Sequence, residues 1–215
     1  MNLPPKLLRR HVGGQVEDDE FLLIGRRCVE SIQAVAPEGP FAQALDFGCG
    51  CGRMLRHLIP RFAPARWFAC DPELAAVRWV ADNMPKATAF VIEPLGGIPL
   101  PDASVDLVVA VSIFSHAPEW SRPMMELRRV MRPGGILIFT YLGRHCYDRR
   151  GLSTPYEALT EAYVEPTPIP CNPDWTRFYP PAGWAVAETS RFFTVLSEHP
   201  HGLAGFQDII VAEVP

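Results

Sequence analysis

The run Asp106–Ile113, DLVVAVSI, is apolar apart from Asp106 and Ser112. A strand with one wet face alternates polar and apolar residues, whereas an uninterrupted apolar run marks a strand covered on both faces, as in a parallel sheet between helical layers. The flanking sequence agrees. Gln43–Phe47, Arg66–Cys70, Thr88–Glu93 and Ile136–Leu142 are further strand-like runs. Helical spacing separates them at Gly50–Phe62, at Pro72–Asn83 with proline in its first turn, and at Pro118–Met131, while Pro133-Gly134-Gly135 reads as a turn. Such alternation predicts βαβ units with right-handed crossovers, an α/β fold. Before it, Phe21, Ile24, Cys28, Ile32 and Val35 form one apolar stripe, predicting a helix over Glu17–Ala36. After it, Phe192–Ser197 and Gln207–Val214 are joined by too short a loop for a helical crossover, so they pair antiparallel. The intervening residues 143–182 are rich in proline and read as irregular, followed by a short helix near Ala182–Arg191. A segment of that length in a compact domain serves as a lid or binding loop.

The 215 residues suit one domain, with 1–40 as a helical cap, 41–142 as a core and 143–215 as a lid or substrate segment ending in the hairpin. A net charge of −4 provides no basic footprint for nucleic acid. No apolar run approaches the roughly 20 residues of a membrane span, and the first residues do not read as a secretory signal. The expectation is therefore a cytoplasmic protein whose six cysteines stay reduced. Cys49 and Cys51 lack a second ligand pair at metal spacing, so no metal is expected.

The stretch ALDFGCGCGRML, Ala44–Leu55, follows a strand and opens a helix. It fits a nucleotide-binding turn, a thiol site or a tight loop without chemistry. Asp46 before the glycines and Asp71 at the end of the next strand favour the first, since an acid there can accept from ribose hydroxyls. The dinucleotide fingerprint GxGxxG would need glycine where Arg53 stands, and no P-loop motif occurs. An NAD-type oxidoreductase is thereby disfavoured. A ligand with ribose hydroxyls and positive charge but no phosphate fits better, and S-adenosylmethionine is one.

DFGCGCGR resembles the DxGxGxG first motif of class I S-adenosylmethionine-dependent methyltransferases, and ACDPE resembles their second-strand acidic signature. IPLPDASVDLVVAVSIFSHAP followed by ELRRVMRPGGILIFTYLG is similar to the family's later motifs, in order. The resemblance covers residues 43–142 and implies a three-layer Rossmann-like sandwich, with a seven-stranded, mostly parallel sheet and an antiparallel C-terminal hairpin. It implies S-adenosylmethionine as cofactor and a small-molecule, possibly sugar-like, methyl acceptor; the alternative is a non-catalytic protein that keeps the fold and cofactor site. Carried onto this chain, Asp46, Gly48, Cys49 and Gly50 would line the methionine part, Asp71 the ribose diol, and Pro72 the adenosine. Glu93 and Leu95 would stand at the adenine, and Ser112 would approach from the fourth strand. His116, just past that strand, is the candidate general base, with helix capping or loop packing as its structural alternative. His11 would sit over the cofactor if the first segment folds across the site. The aromatics Trp175, Phe178, Tyr179 and Trp184 either line an acceptor pocket or anchor the long loop.

Overall fold

The computed structural model describes residues 2–12, 14, 17–63, 65–94, 97–167 and 176–215. Two helices come first, α1 (Lys6–His11) and α2 (Asp18–Val35). The alternating stretch follows as β1 (Gln43–Phe47), α3 (Leu55–Arg61), β2 (Arg66–Asp71), α4 (Leu74–Asn83), β3 (Ala87–Val91), β4 (Val105–Ala110), α5 (Ser121–Val130) and β5 (Met131–Tyr141). Then come α6 (Arg144–Asp148), a small hairpin of β6 (Tyr163–Pro166) and β7 (Thr176–Tyr179), α7 (Trp184–Thr189), and the closing strands β8 (Thr194–Leu203) and β9 (Gln207–Glu213).

The main sheet has seven strands in the order β3-β2-β1-β4-β5-β9-β8. The first five in that order are mutually parallel, and β9 is antiparallel to both neighbours. This is the expected sandwich. The chain leaves β1 toward β2 on one side and later returns to place β4 on its other side, so the connections diverge above the carboxyl ends of β1 and β4. Such a switch point opens a crevice in an open α/β sheet.

Alternation along each strand feeds two cores. From β4, Val108 and Ala110 join Leu45, Phe47 and Phe139 under α5 and α7, contributed by Met124, Leu127, Val130 and Ala185. Leu107 and Val109 turn to the other face, with Ala44, Trp67 and Ile138, under Val29 and Ile32 of α2, Leu58 of α3 and Val80 of α4. The apolar run that read as doubly covered is buried on both faces.

Three local expectations are corrected. The helix read from Gly50 begins only at Leu55, because Gly50 and Gly52 have φ of 49° and 76°, in the left-handed region outside an α-helix. Pro133-Gly134-Gly135 does not separate a helix from a strand. It is a bulge inside β5, the excess residues between the pairs Val105–Met131 and Leu107–Ile136. The irregular reading of 143–182 also missed a hairpin, β6–β7, whose Tyr163 and Tyr179 pack with Tyr147 and Tyr156 of the same segment. Trp175 and Cys171 lie outside the described residues.

The amino-terminal helices are built onto the core. Leu8 of α1 and Phe21 of α2 are buried with Cys51 of the glycine loop and Ala76 of α4. The Phe21 ring lies between two guanidiniums, Arg9 at 5.7 Å and Arg56 at 5.5 Å from its centroid. Arg9 is itself held by the Pro4 carbonyl at 2.8 Å and by Asp18 at 2.7 Å. Replacing a fully buried phenylalanine by alanine costs about 3–5 kcal/mol. Phe21→Ala is expected to lower the unfolding free energy by about that amount, read from urea denaturation, and to expose the first 14 residues to limited proteolysis before the sheet.

Candidate functional site

A cleft of about 1020 Å³ lies over the carboxyl edge of the sheet at the switch point. Its floor is the loop after β1. The Gly48 and Cys49 amides both donate to the Cys70 carbonyl, at 2.8 and 2.9 Å, and the Gly50 amide donates to Asp71 Oδ2 at 2.8 Å. Gly48 has φ of 83°, and a Cβ there would meet Ile113 Cδ1 at 1.9 Å; a Cβ on Gly50 would meet Val12 Cγ1 at 2.2 Å. Both glycines are therefore required by backbone conformation and by what lies against them.

The acids are buried into this floor. Asp46 is 3% exposed, and its Oδ2 has no hydrogen-bond partner among the described residues. Burial, reinforced by the neighbouring Asp71 charge, pushes its carboxyl up to about 7, while Arg53 opposes the shift. Asp71 is also raised, mainly by burial, with the Glu73 and Gly50 amides pulling the other way. Its Oδ1 accepts from the Glu73 amide at 2.9 Å, which tethers the start of α4. Arg53, the residue in place of the third fingerprint glycine, lines the same wall as Asp46. An acid and a guanidinium side by side can hold the ammonium and carboxylate of a free amino-acid group.

The three thiols at this floor, Cys49, Cys51 and Cys70, are buried, and burial is the main cause that raises each of them, Cys51 to about 12. Such thiols stay protonated and pack as small apolar groups. Among the described residues, no group of three His, Cys, Asp or Glu is placed to hold a metal, and no helix is long and apolar enough to cross a membrane.

The first segment does fold across the site. Arg10, His11 and Val12 line the cleft. His11 Nδ1 lies 2.8 Å from Glu73 Oε1, and its Nε2 is buried without a hydrogen-bond partner among the described residues. Since an ionised carboxylate can only accept, Nδ1 carries the proton in this contact.

Beyond the switch point, Ser112 follows β4 with φ of 62°, a sparsely populated conformation for a residue with a side chain. A polar network holds it there. Its amide donates to Thr140 Oγ1 at 2.9 Å, the Thr140 hydroxyl donates to Gln207 Oε1 at 2.5 Å, and Gln207 Nε2 donates to Ser112 Oγ at 2.9 Å. His116 also lines the cleft, but its Nδ1–H donates to the Thr176 carbonyl at 2.6 Å and pins β7. Burial lowers its pKa to about 4, partly opposed by that bond.

Of the cofactor residues expected from sequence, the cleft gathers Asp46, Gly48, Cys49, Gly50, Asp71, Pro72 and Ser112. Glu93 does not line it. Its side chain is 79% exposed and pairs with Arg122 of α5 at 3.2 Å, while Ile92 and Pro94 on either side line the cleft. Alternation at the end of β3 turns Ile92 inward and Glu93 out. Leu95 lies outside the described residues. Sequence reasoning did not select Arg53, Glu73, Thr167, Arg177 or Gln207, which also line the cleft.

Residues 45–139 match the family model described as a methyltransferase domain. The chain is 31% identical over 122 residues to a malonyl-[acyl-carrier protein] O-methyltransferase of Methylococcus capsulatus, covering 56% of this chain and 44% of that protein. It is 30% identical over 127 residues to a trans-aconitate 2-methyltransferase of Deinococcus radiodurans, covering 57% and 46% respectively. The chain thus spans less than half the length of each. A SAM-dependent methyltransferase from Aquifex aeolicus superposes over 100% of both chains with a TM-score of 0.67 at 18% identity, a likeness of fold.

The Asp46 carboxyl generates a pH signature. An unfolded aspartate titrates near 3.9, and in the fold Asp46 titrates at about 7. The folded state therefore holds a proton that the unfolded chain has released, and stability falls as pH rises through that window. Asp46→Asn is expected to melt at higher temperature than wild type at pH 8 and to lose that advantage toward pH 4, measured by thermal denaturation without ligand.

Proposed function

We propose, from the class I S-adenosylmethionine-dependent methyltransferase domain that this chain carries, that the protein transfers a methyl group from S-adenosylmethionine to a small-molecule acceptor. The observation that supports this most directly is Asp46 Oδ2, a buried carboxylate oxygen near Arg53 without a hydrogen-bond partner among the described residues. Leaving such a group unsatisfied costs about 1–3 kcal/mol, and the ammonium of the cofactor's methionine end would satisfy it. The other residues fit the rest of the group. Arg53 would take its carboxylate. Gly48 and Gly50 leave main chain open, without a Cβ, where the ligand must lie close. Asp71 spends one lone pair per oxygen on backbone donors and keeps others for the ribose hydroxyls. His11 Nε2 adds a buried polar group to the cap, and Pro72, Ile92 and Pro94 supply apolar surface for the adenine.

When bound, the cofactor supplies a methyl group already activated by the sulfonium. The protein's task is then alignment of the two reactants and exclusion of water, which can account for much of the rate. His116 serves alignment by holding β7 over the cleft. Residues 1–40 act as the cofactor's cap, and 143–215 supply the acceptor side.

Isothermal titration with S-adenosylhomocysteine tests this reading. Binding is expected for the wild type and weakened about tenfold to a hundredfold in Asp71→Ala, the loss of hydrogen bonds to a charged group. The exposed control Lys86→Ala is expected to bind as wild type. No binding by the wild type, or equal loss in Asp71→Ala and the control, overturns the cofactor site.

A further inference from the structure

The cleft sorts its charges by strand. Its carboxylates among the described residues, Asp46, Asp71 and Glu73, all stand at β1, β2 and the start of α4. On the other side of the switch point, Ser112, His116, Thr167, Arg177 and Gln207 line it, and no carboxylate does.

Arg177 is the fixed cation on that side. The residues before and after it are both anchored to the loop that follows β4. The Thr176 carbonyl accepts from His116, and the Phe178 amide donates to the Ser115 carbonyl at 2.9 Å. Arg177 pairs with Glu165 at 3.3 Å, but Glu165 also pairs with Arg150. One carboxylate facing two guanidiniums leaves positive charge at this rim.

The neutral groups beside it are donors. Gln207 has its Oε1 engaged by Thr140 and one Nε2 hydrogen on Ser112, so a second amide hydrogen remains for the cleft. Thr167 Oγ1 is buried without a hydrogen-bond partner among the described residues. A cation and neutral donors, without a strong base, suit an acceptor that arrives as an oxygen anion. Alcohols and phenols would have to lose a proton to reach that state near neutrality, whereas a carboxylic acid has already lost it.

We infer that the acceptor is a carboxylic acid, held as its carboxylate by Arg177, Gln207 and Thr167, and that the product is its methyl ester. This rests on the methyltransferase reading and names its substrate class. One carboxylate oxygen uses a lone pair to bond the methyl carbon as the carbon–sulfur bond breaks. The bonding pair stays on sulfur, giving the neutral thioether, and no proton is released.

The test uses the full chain, methyl-tritiated S-adenosylmethionine and cell-extract metabolites separated by anion exchange. The fractions are separated before the reaction; label is expected in the products formed from the anionic fraction, and mild alkali is expected to release it as volatile methanol. In Arg177→Gln, kcat/KM for that fraction is expected to fall about tenfold to a hundredfold, as for loss of a charged hydrogen-bond partner. Its affinity for S-adenosylhomocysteine should stay within about twofold, which also shows that the variant is folded, and Arg177→Lys should recover part of the loss. The same anionic fraction should raise the melting temperature of the wild type loaded with S-adenosylhomocysteine, and not that of Arg177→Gln. Label that survives mild alkali, as an N-, C- or phosphate-linked methyl would, overturns the carboxylate. So does the absence of label in reactions supplied with the anionic fraction while S-adenosylhomocysteine binds. Failure to bind S-adenosylhomocysteine overturns the methyltransferase reading itself.

Discussion

Gly48 and Cys49 share the Cys70 carbonyl, and Gly50 reaches the Asp71 carboxylate. These three amides tie the reversal after β1 to the last residues of β2, a different strand. The glycines reach them only because positive φ turns their amides downward onto β2. Two consequences follow from one set of bonds. The carboxyl ends of β1 and β2 are held at a common level, which makes a floor in place of a ragged edge. Asp71 is also committed to the loop and to the start of α4, so its remaining lone pairs face the cleft in a fixed direction. An acid that merely ended a strand would be free to swing into solvent and would be a weaker ligand.

Burial has a cost at this floor that the fold carries without ligand. Asp46 and Asp71 are both raised by burial, and the nearby Asp71 charge raises Asp46 further. Arg53 relieves this only in part. Buried acids and positive-φ glycines thus coincide at this floor, a pattern common where a charged ligand binds. The N-terminal segment adds to the enclosure: Val12 lies against Gly50, and His11 pairs with Glu73.

What could be read from the sequence was whatever depends on near neighbours. DLVVAVSI revealed a doubly buried strand because its period is local, and Asp46 and Asp71 were legible because strand ends locate them. The resemblance then supplied their order and roles. Glu93 faces outward while Ile92 lines the cleft, a single step of alternation that no motif records. His11, Arg177 and Gln207 were hidden or underweighted for another reason. The partners of His11 and Gln207 stand 62 and 95 residues away, and Arg177 is placed by its neighbour Thr176, whose carbonyl bonds His116 60 residues away. The start of α3 and the bulge in β5 were missed because glycines with positive φ look the same in sequence as a turn or a helix start.

The two sides of the cleft are also built from different kinds of chain. The cofactor side comes from β1, β2 and the loops directly after them, all within the stretch 45–139 that matches the methyltransferase domain. Arg177, Thr167 and Gln207 lie after residue 139, on a hairpin and a terminal strand added to the sheet. They are joined to the common part mainly through the residues that follow β4: Ser115 and His116 hold β7, and Ser112 bonds Gln207. That loop is therefore the coupling between a shared half and an individual one. Changes in the hairpin can alter what is bound there without disturbing Asp46 or Asp71, because no bond described here runs from the hairpin to the β1–β2 floor. The strained conformation of Ser112 belongs at this junction, where a side chain must serve the polar network on β5 and β9 while its backbone still closes the wall beside Gly48.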